Sequence, residues 1–321
     1  MGELSLVTGG AGFIGSHLVD ALVKSGRSVR VFDDFSTGLR ANIAHHDGRI
    51  EVVEGSLTDP AAVARAVRGA GVVYHLGALA SVARSVETPA VSHAACATGT
   101  LNLLDAARRV GVRRVVYAAS SSAYGGSAGE GGQREDQPVA AKSPYAAAKL
   151  AGELYCQAFA HTYGLETVRL RFFNIFGPRQ RSDSPYSGVI ALFTAAMSRG
   201  ERPTVHGDGT QSRDFTYVAN AVQALMKAAE APEASGNVYN VGTGQTVSVR
   251  ELIAALNRCL NTDLEPTYGA PRAGDVKFSR ADIGNTRLDL GYEPAVSFED
   301  GLLKTVDAFL HTNAWGLQHA R

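Results

Sequence analysis

Cysteine is scarce in this 321-residue chain: Cys96, Cys156 and Cys259 are scattered, with no CxxC pair and no even framework. That scarcity argues against a disulfide-stapled secreted fold and a cysteine-based zinc site, and the expected compartment is the cytoplasm. Net charge is lacking too. Lys+Arg and Asp+Glu both number 31, so no field of one sign calls for a nucleic acid or a membrane surface as partner. No apolar run approaches the roughly 18 residues that would span a bilayer. The opening "MGELSLVTGG" runs straight into a strand pattern, and Leu6 breaks the myristoylation pattern, so neither a leader nor a lipid anchor is expected. Internal repeats and low-complexity linkers are absent.

What remains is a globular composition, 45% hydrophobic, with a surplus of glycine that gathers in turns. Short β-branched runs at 4–9, 28–33, 50–55, 72–77, 114–120 and 166–171 alternate with helical patterns near 13–25, 60–68, 90–110 and 144–163. This alternation predicts βαβ units with right-handed crossovers, hence an α/β fold with a doubly wound parallel sheet and ligands at the carboxyl ends of its strands. Beyond about residue 175 the pattern loosens into loops, apart from a helix at 217–231 and a strand at 237–242.

The first strand leads into "TGGAGFIGSHL", where Gly9, Gly12 and Gly15 are spaced G-xx-G-xx-G directly before a helix. Glycines there allow a tight turn and let the backbone approach a pyrophosphate at the helix N-terminus. Asp33 ends the second strand about twenty residues on, the context that makes a glycine triplet specific. Its carboxylate can accept from both ribose hydroxyls of NAD and would repel the 2′-phosphate of NADP, so NAD is the predicted cofactor.

A second constellation lies downstream. "SPYAAAKLAGE" (143–153) starts a helix: Ser143 caps it, Pro144 suits the first turn, and alanines follow. Tyr145 and Lys149, four apart, share one face. Alone, such a pair is an ordinary helix turn. Here Ser120, Ser121 and Ser122 close the fifth strand just upstream. Serine at a strand end, tyrosine and lysine on the next helix, and an upstream dinucleotide turn together resemble the extended short-chain dehydrogenase/reductase family.

The resemblance implies a Rossmann NAD-binding domain from 1–175 plus 216–242, and a smaller α/β C-terminal nucleotide-sugar-binding lobe from 176–215 plus 243–321. It implies catalysis by Ser120, Ser122, Tyr145 and Lys149. A free phenol has a pKa of about 10. The lysine cation and the positive nicotinamide are expected to lower it, so that Tyr145 accepts a proton from a sugar hydroxyl. Lys149 also holds the nicotinamide ribose, and Ser120 hydrogen-bonds the reacting oxygen. Phe13, Ile14, Ser56, Leu57, Gly77, Ala78 and Leu79 join the cofactor site. Two residues depart from the family pattern: Ser56 replaces an Asp that contacts the adenine amine, and Cys96 replaces an Asn in "N-x-x-G-T". Cys96 reads as a buried small apolar residue, and His75 as strand packing.

The C-terminal half resembles the nucleotide-sugar enzymes of that family. "RFFNIFGPRQ" (171–180) assigns Asn174 to the diphosphate sugar, and "VHGDGTQSRDFTYV" (205–218) assigns Arg213 to a phosphate. "PRAGDVKFSRADI" (271–283) assigns Arg272 to the diphosphate and Asp275 to the uridine ribose, work suited to arginine's planar donors. Ser81, Val82, Arg84 and Val189 are placed near the sugar nucleotide, and Tyr186 is a further candidate contact. Ser121 and Ser122 stand where 4,6-dehydratases carry an Asp-Glu pair, and Asn174 where glucuronate epimerases carry Thr. The reaction implied is therefore NAD-dependent 4-epimerisation of a UDP-hexose. A small Ser279 at the sugar gate implies UDP-N-acetylglucosamine, with UDP-glucose turnover alongside. Alternatives are a UDP-glucose or UDP-glucuronate 4-epimerase and, in another class, a non-catalytic NAD-binding regulator. A homodimer built on the helices after strands four and five is the family expectation.

Overall fold

The computed structural model describes residues 3–126, 132–182, 188–271 and 276–319. The strands are β1 (Leu4–Thr8), β2 (Ser28–Asp33), β3 (Glu51–Glu54), β4 (Ala70–His75), β5 (Arg114–Ser120), β6 (Glu166–Phe172), β7 (Ile175–Phe176), β8 (Thr204–His206), β9 (Ser212–Arg213), β10 (Thr216–Tyr217), β11 (Val238–Val241), β12 (Val247–Ser248), β13 (Thr267–Gly269) and β14 (Phe278–Ser279). The helices are α1 (Phe13–Lys24), α2 (Pro60–Ala66), α3 (Val82–Glu87), α4 (Pro89–His93), α5 (Gly99–Arg109), α6 (Pro144–Tyr163), α7 (Val189–Met197), α8 (Val218–Glu230), α9 (Val249–Leu260), α10 (Gly284–Leu290) and α11 (Phe298–His319).

Seven strands form one parallel sheet in the order β11-β6-β5-β4-β1-β2-β3. The order reverses between β1 and β4, and this switch point opens a crevice at the carboxyl ends. Successive residues of a strand face opposite sides, which explains the near-continuous apolar runs. Val7, Val31 and Val116 pack against α1 and α8, whereas Leu6, Val73 and Val115 pack against α2, α5 and α6. A third core, built on Phe176, Phe193, Phe215, Leu252 and Leu302, holds the smaller sheets together with α7, α9 and α11.

Two expectations are corrected. The helix anticipated across 90–110 is broken into α4, a π-helical turn over Ala94–Thr98, and α5. The region beyond 175, anticipated as loops, contains α7, α9, α10 and α11. Of these, α9 opens on a capping box: Ser248 accepts from the Glu251 N–H at 3.2 Å, and Glu251 accepts from the Ser248 N–H at 2.7 Å.

One carboxylate ties the lobe to the sheet. Asp214, 0% exposed, accepts from the Thr243 N–H and hydroxyl (both 2.8 Å), the Gly244 N–H (2.9 Å), the Ala281 N–H (3.2 Å) and the Thr216 hydroxyl (3.2 Å). These donors come from three segments: β10, the loop leaving β11, and the chain after β14.

A second buried charge sits within the sheet domain. Arg171 donates to both oxygens of Glu153, at 3.1 and 2.8 Å, with side chains 5% and 2% exposed. Removing one partner strands the other in a low dielectric. Glu153→Leu is therefore expected to cost about 3–5 kcal/mol of stability, read as a lower midpoint in denaturant unfolding.

Candidate active site

The crevice is built first by glycine. Gly9 has φ +67°, and a Cβ added to it would lie 2.8 Å from the Gly77 nitrogen. A Cβ on Gly15 would lie 2.1 Å from the Gly9 carbonyl oxygen, so the turn and the helix touch backbone to backbone. Gly12 caps α1 without a side-chain hydrogen bond, and no acidic residue occupies the first turn. The positive end of α1 is thus left facing a backbone stripped of side chains, which fits an anionic pyrophosphate.

Asp33 lies beneath this turn, 7% exposed. Its two oxygens accept from the Ala11 and Phe35 N–H groups, each at 2.9 Å. Burial pushes its carboxyl above the ordinary value, and those backbone hydrogen bonds pull it partly back. Leu57 packs against Gly77 and Gly99, where added Cβ atoms would each come within 2.7 Å of its side chain. Ser56 is engaged with the Thr58 hydroxyl at 2.9 Å. Phe13 and Ile14 turn toward the third core, so the start of α1 touches both lobes. Leu79, Cys96, Ala97 and Ala148 form a small apolar cluster against Ala78 and Tyr145.

The opposite wall is α6. Its first-turn donors are accounted for one by one. Pro144 has none, Tyr145 N–H donates to the Ser85 hydroxyl at 3.0 Å, and Ala146 N–H donates to Ser143 Oγ at 3.1 Å. Ser85 was not anticipated from the sequence, because no motif marks a serine on α3 as the partner of a helix sixty residues later. Lys149 is 3% exposed, and its ammonium lies 4.6 Å from the centroid of the Tyr117 ring. Tyr117 reaches that position because Gly152 carries no side chain: a Cβ there would meet the Tyr117 hydroxyl at 2.3 Å. That hydroxyl donates to the Lys149 carbonyl at 3.1 Å.

Burial raises the Tyr145 phenol well above its ordinary value, opposed by a hydrogen bond with Ser120. Burial lowers Lys149. Among the protein's own residues burial outweighs the Ser120 hydrogen bond; the expected lowering of the phenol rests on the nicotinamide cation as well. Ser120 accepts from the Ser122 hydroxyl at 2.9 Å and the Ser122 N–H at 3.2 Å.

His75 packs in the sheet, 1% exposed, and burial together with the Lys149 charge pulls it down to about 3. Its neighbours select the tautomer. Thr100 donates its proton to the Cys96 carbonyl at 2.5 Å, so it accepts from His75 Nε2 at 3.0 Å. Nδ1 then accepts from Thr8, 2.7 Å away, whose oxygen also takes the Gly77 N–H at 3.0 Å. A neutral imidazole thus links the glycine turn to the π-helical turn that bears Cys96.

On the substrate side, Ser279 and Arg213 are paired neighbours in β14 and β9. Asn174 donates to the Asp214 carbonyl at 3.5 Å, and its own carbonyl accepts from Thr216 N–H at 3.0 Å. Ser81 caps α3 by accepting from Arg84 N–H at 3.2 Å, and Val82 beside it is 48% exposed. Val189 opens α7. Arg272, Asp275 and Tyr186 lie outside the described residues. An open groove of about 810 Å³ runs past His206, Arg250, Tyr268 and Lys277, all in the substrate lobe and away from Tyr145.

A switch-point crevice with a bare helix N-terminus, an acidic residue at the end of β2 and a Tyr–Lys pair on the opposite wall defines a dinucleotide-dependent enzyme of the Rossmann class. Comparison with known proteins makes this specific: residues 5–242 match the NAD dependent epimerase/dehydratase family, and the chain belongs to that family. It is 37% identical over 308 residues to the UDP-glucose 4-epimerase of Mycolicibacterium smegmatis, covering 95% of this chain and 98% of that one. Among solved structures it resembles the UDP-glucose 4-epimerase of Thermotoga maritima, solved with UDP-glucose (TM-score 0.92, 38% identity, 97% and 99% of the two chains). It is equally similar in shape to the UDP-N-acetylglucosamine 4-epimerase of Methanobrevibacter ruminantium M1, in complex with UDP-N-acetylmuramic acid (TM-score 0.92, 36% identity, 97% and 100%).

The glycine contacts yield a direct test of the cofactor site. Gly15→Ala forces the turn apart, an overpacking cost of about 1–3 kcal/mol. Titration of the purified protein with NAD is expected to show binding weakened by about 10- to 100-fold.

Proposed function

We propose that the chain is an NAD-dependent UDP-hexose 4-epimerase that prefers UDP-N-acetylglucosamine and also turns over UDP-glucose. NAD is held by 1–175 plus 216–242, and the nucleotide sugar by 176–215 plus 243–321. The observation that carries the sugar preference is the small side chain of Ser279, set beside Arg213, where a bulky residue would crowd the C2 substituent. A serine run at the end of β5, in place of paired carboxylates, supports epimerisation over dehydration.

Bound NAD supplies the acceptor for the C4 hydride and the donor that returns it. Tyr145 takes the proton of the 4-hydroxyl and gives one back, while Ser120 donates to the same oxygen. Lys149 holds the nicotinamide ribose and places a positive charge near the phenol, in a dry setting that magnifies it. Arg213, Arg272 and Asp275 anchor the UDP moiety, so the 4-keto sugar can turn over before hydride returns to the opposite face.

The test follows C4 inversion by NMR with UDP-N-acetylglucosamine and UDP-glucose, no cofactor being added. Faster inversion of the acetylated sugar is expected; conversion of UDP-glucose alone would remove the gate argument. Tyr145→Phe is expected to lower kcat by about 100- to 10,000-fold. Because the acting form of Tyr145 is the phenolate and burial raises the phenol, kcat/KM should climb with pH and reach no plateau below about pH 10.

We further propose a cytoplasmic homodimer. Val91 on α4 and Leu154 and Tyr155 on α6 are 53%, 57% and 39% exposed, an apolar face suited to a second copy of the chain. Leu154→Glu should convert the sedimenting species from dimer to monomer. Free cysteines, with Cys96 and Cys156 buried, suit a reducing compartment. No helix among the described residues is long and apolar enough to cross a membrane.

A further inference from the structure

Gln133 lies outside every motif described above, yet it is 2% exposed and its main chain is pinned on three sides. Its N–H donates to the Arg280 carbonyl at 2.7 Å, and its carbonyl accepts from Asp282 N–H at 2.9 Å and from the Asn240 side chain at 2.8 Å. The side chain then spans two walls of the site. Nε2 donates to the Gly126 carbonyl at 2.7 Å, at the end of the turn that follows the catalytic serines. Oε1 faces the Ser279 hydroxyl at 3.3 Å.

The orientation of this amide is determined by chemistry. A main-chain carbonyl can only accept, so the NH2 group must face Gly126 and the oxygen must face Ser279. Ser279 therefore gives its single proton to Gln133. What its oxygen has left for a ligand is lone pairs alone.

We propose that Gln133 is a specificity-determining residue that locks Ser279 into one rotamer and makes the gate a pure hydrogen-bond acceptor, matched to the amide N–H of a 2-acetamido sugar. The proposal rests on the gate reading of Ser279 above. An amide N–H only donates, so it needs an acceptor held in place. A 2-hydroxyl can donate or accept, so it adapts to either orientation of the serine. Releasing Ser279 lets its proton turn toward the amide N–H, or its oxygen swing into space the acetyl group requires. UDP-N-acetylglucosamine should suffer more than UDP-glucose.

The experiment measures kcat/KM for both sugars in the full-length protein, and the readout is their ratio. Gln133→Met should lower the ratio about two- to tenfold in favour of UDP-glucose, the range one hydrogen bond commands. Gln133→Leu removes the same groups should the methionine variant fail to fold. Gln133→Glu should keep the native ratio, since its carbonyl oxygen still accepts from Ser279 and its protonated form still donates to Gly126. In a Ser279→Ala background, Gln133→Met should leave the ratio unmoved. An equal loss for both sugars, or the same ratio change without Ser279, would make Gln133 merely structural and overturn the proposal. Ser279→Tyr separates the two readings. A ratio that does not respond to it overturns the gate, and one that responds to it but not to Gln133→Met overturns only the role of Gln133.

Discussion

The Asp214 carboxylate, completely buried, accepts from five donors on three separate segments. An ionised carboxylate without such partners would cost several kcal/mol in that setting. Its burial is therefore tolerable only while β10, the Thr243–Gly244 loop and the chain after β14 hold their places. The packing is tight enough that a Cβ on Gly242 would fall 2.5 Å from that of Ala281 and 2.7 Å from the carboxylate itself. Arg213 precedes Asp214 directly, and Ser279 lies two residues before Ala281. The positions assigned to phosphate and sugar are thus both referred to one charge, and through Thr243 to the large sheet.

A comparable economy governs α6. Ser143 and Ser85 satisfy its first-turn donors, Tyr117 occupies the space opened by Gly152, and Glu153 with Arg171 closes the buried end. The Tyr–Lys pair is presented on a helix whose buried face combines apolar packing through Cys156 and Phe159 with these polar contacts. The same burial that raises Tyr145 and lowers Lys149 disfavours the charged form of each. It also magnifies any charge brought beside them, since Coulomb energies grow as the local dielectric falls. A phenol that is inert alone can in this way respond strongly to a cationic neighbour.

Legibility from sequence followed the range of the interactions. β1, the glycine turn, α1 and Asp33 were readable because each depends on residues within one βαβ unit. The helix at 144–163 was readable to the residue because Ser143, Pro144 and Gly164 mark its ends. The half beyond residue 175 was only partly legible: the helix at 217–231 and the strand at 237–242 correspond to α8 and β11, whereas α7, α9, α10 and α11 fall where loops are expected. Its other strands are two or three residues long, too short for an alternation to register, and α7, "VIALFTAAM", is apolar all round and has no helical stripe. In α9 the signal is present in the sequence, since Ser248 and Glu251 carry the capping-box spacing. The π-helical turn at 94–98 left no local trace; its place beside Tyr145 and under Thr100 belongs to the packed structure.

By itself the sequence determined the class of fold, the glycine turn with its acidic partner Asp33, and the Ser, Tyr and Lys side chains at the carboxyl end of the sheet, because backbone sterics and helix-face geometry act over a few residues. Tertiary structure alone decided which polar groups meet across long separations. Ser85 reaches Tyr145, Tyr117 lies under Lys149, Asp214 gathers three segments, and Gln133 finds Ser279 146 positions away. Hydrogen bonds of that kind are specified by where a folded sheet brings its loops, and their direction, donor against acceptor, exists only once every partner is in place.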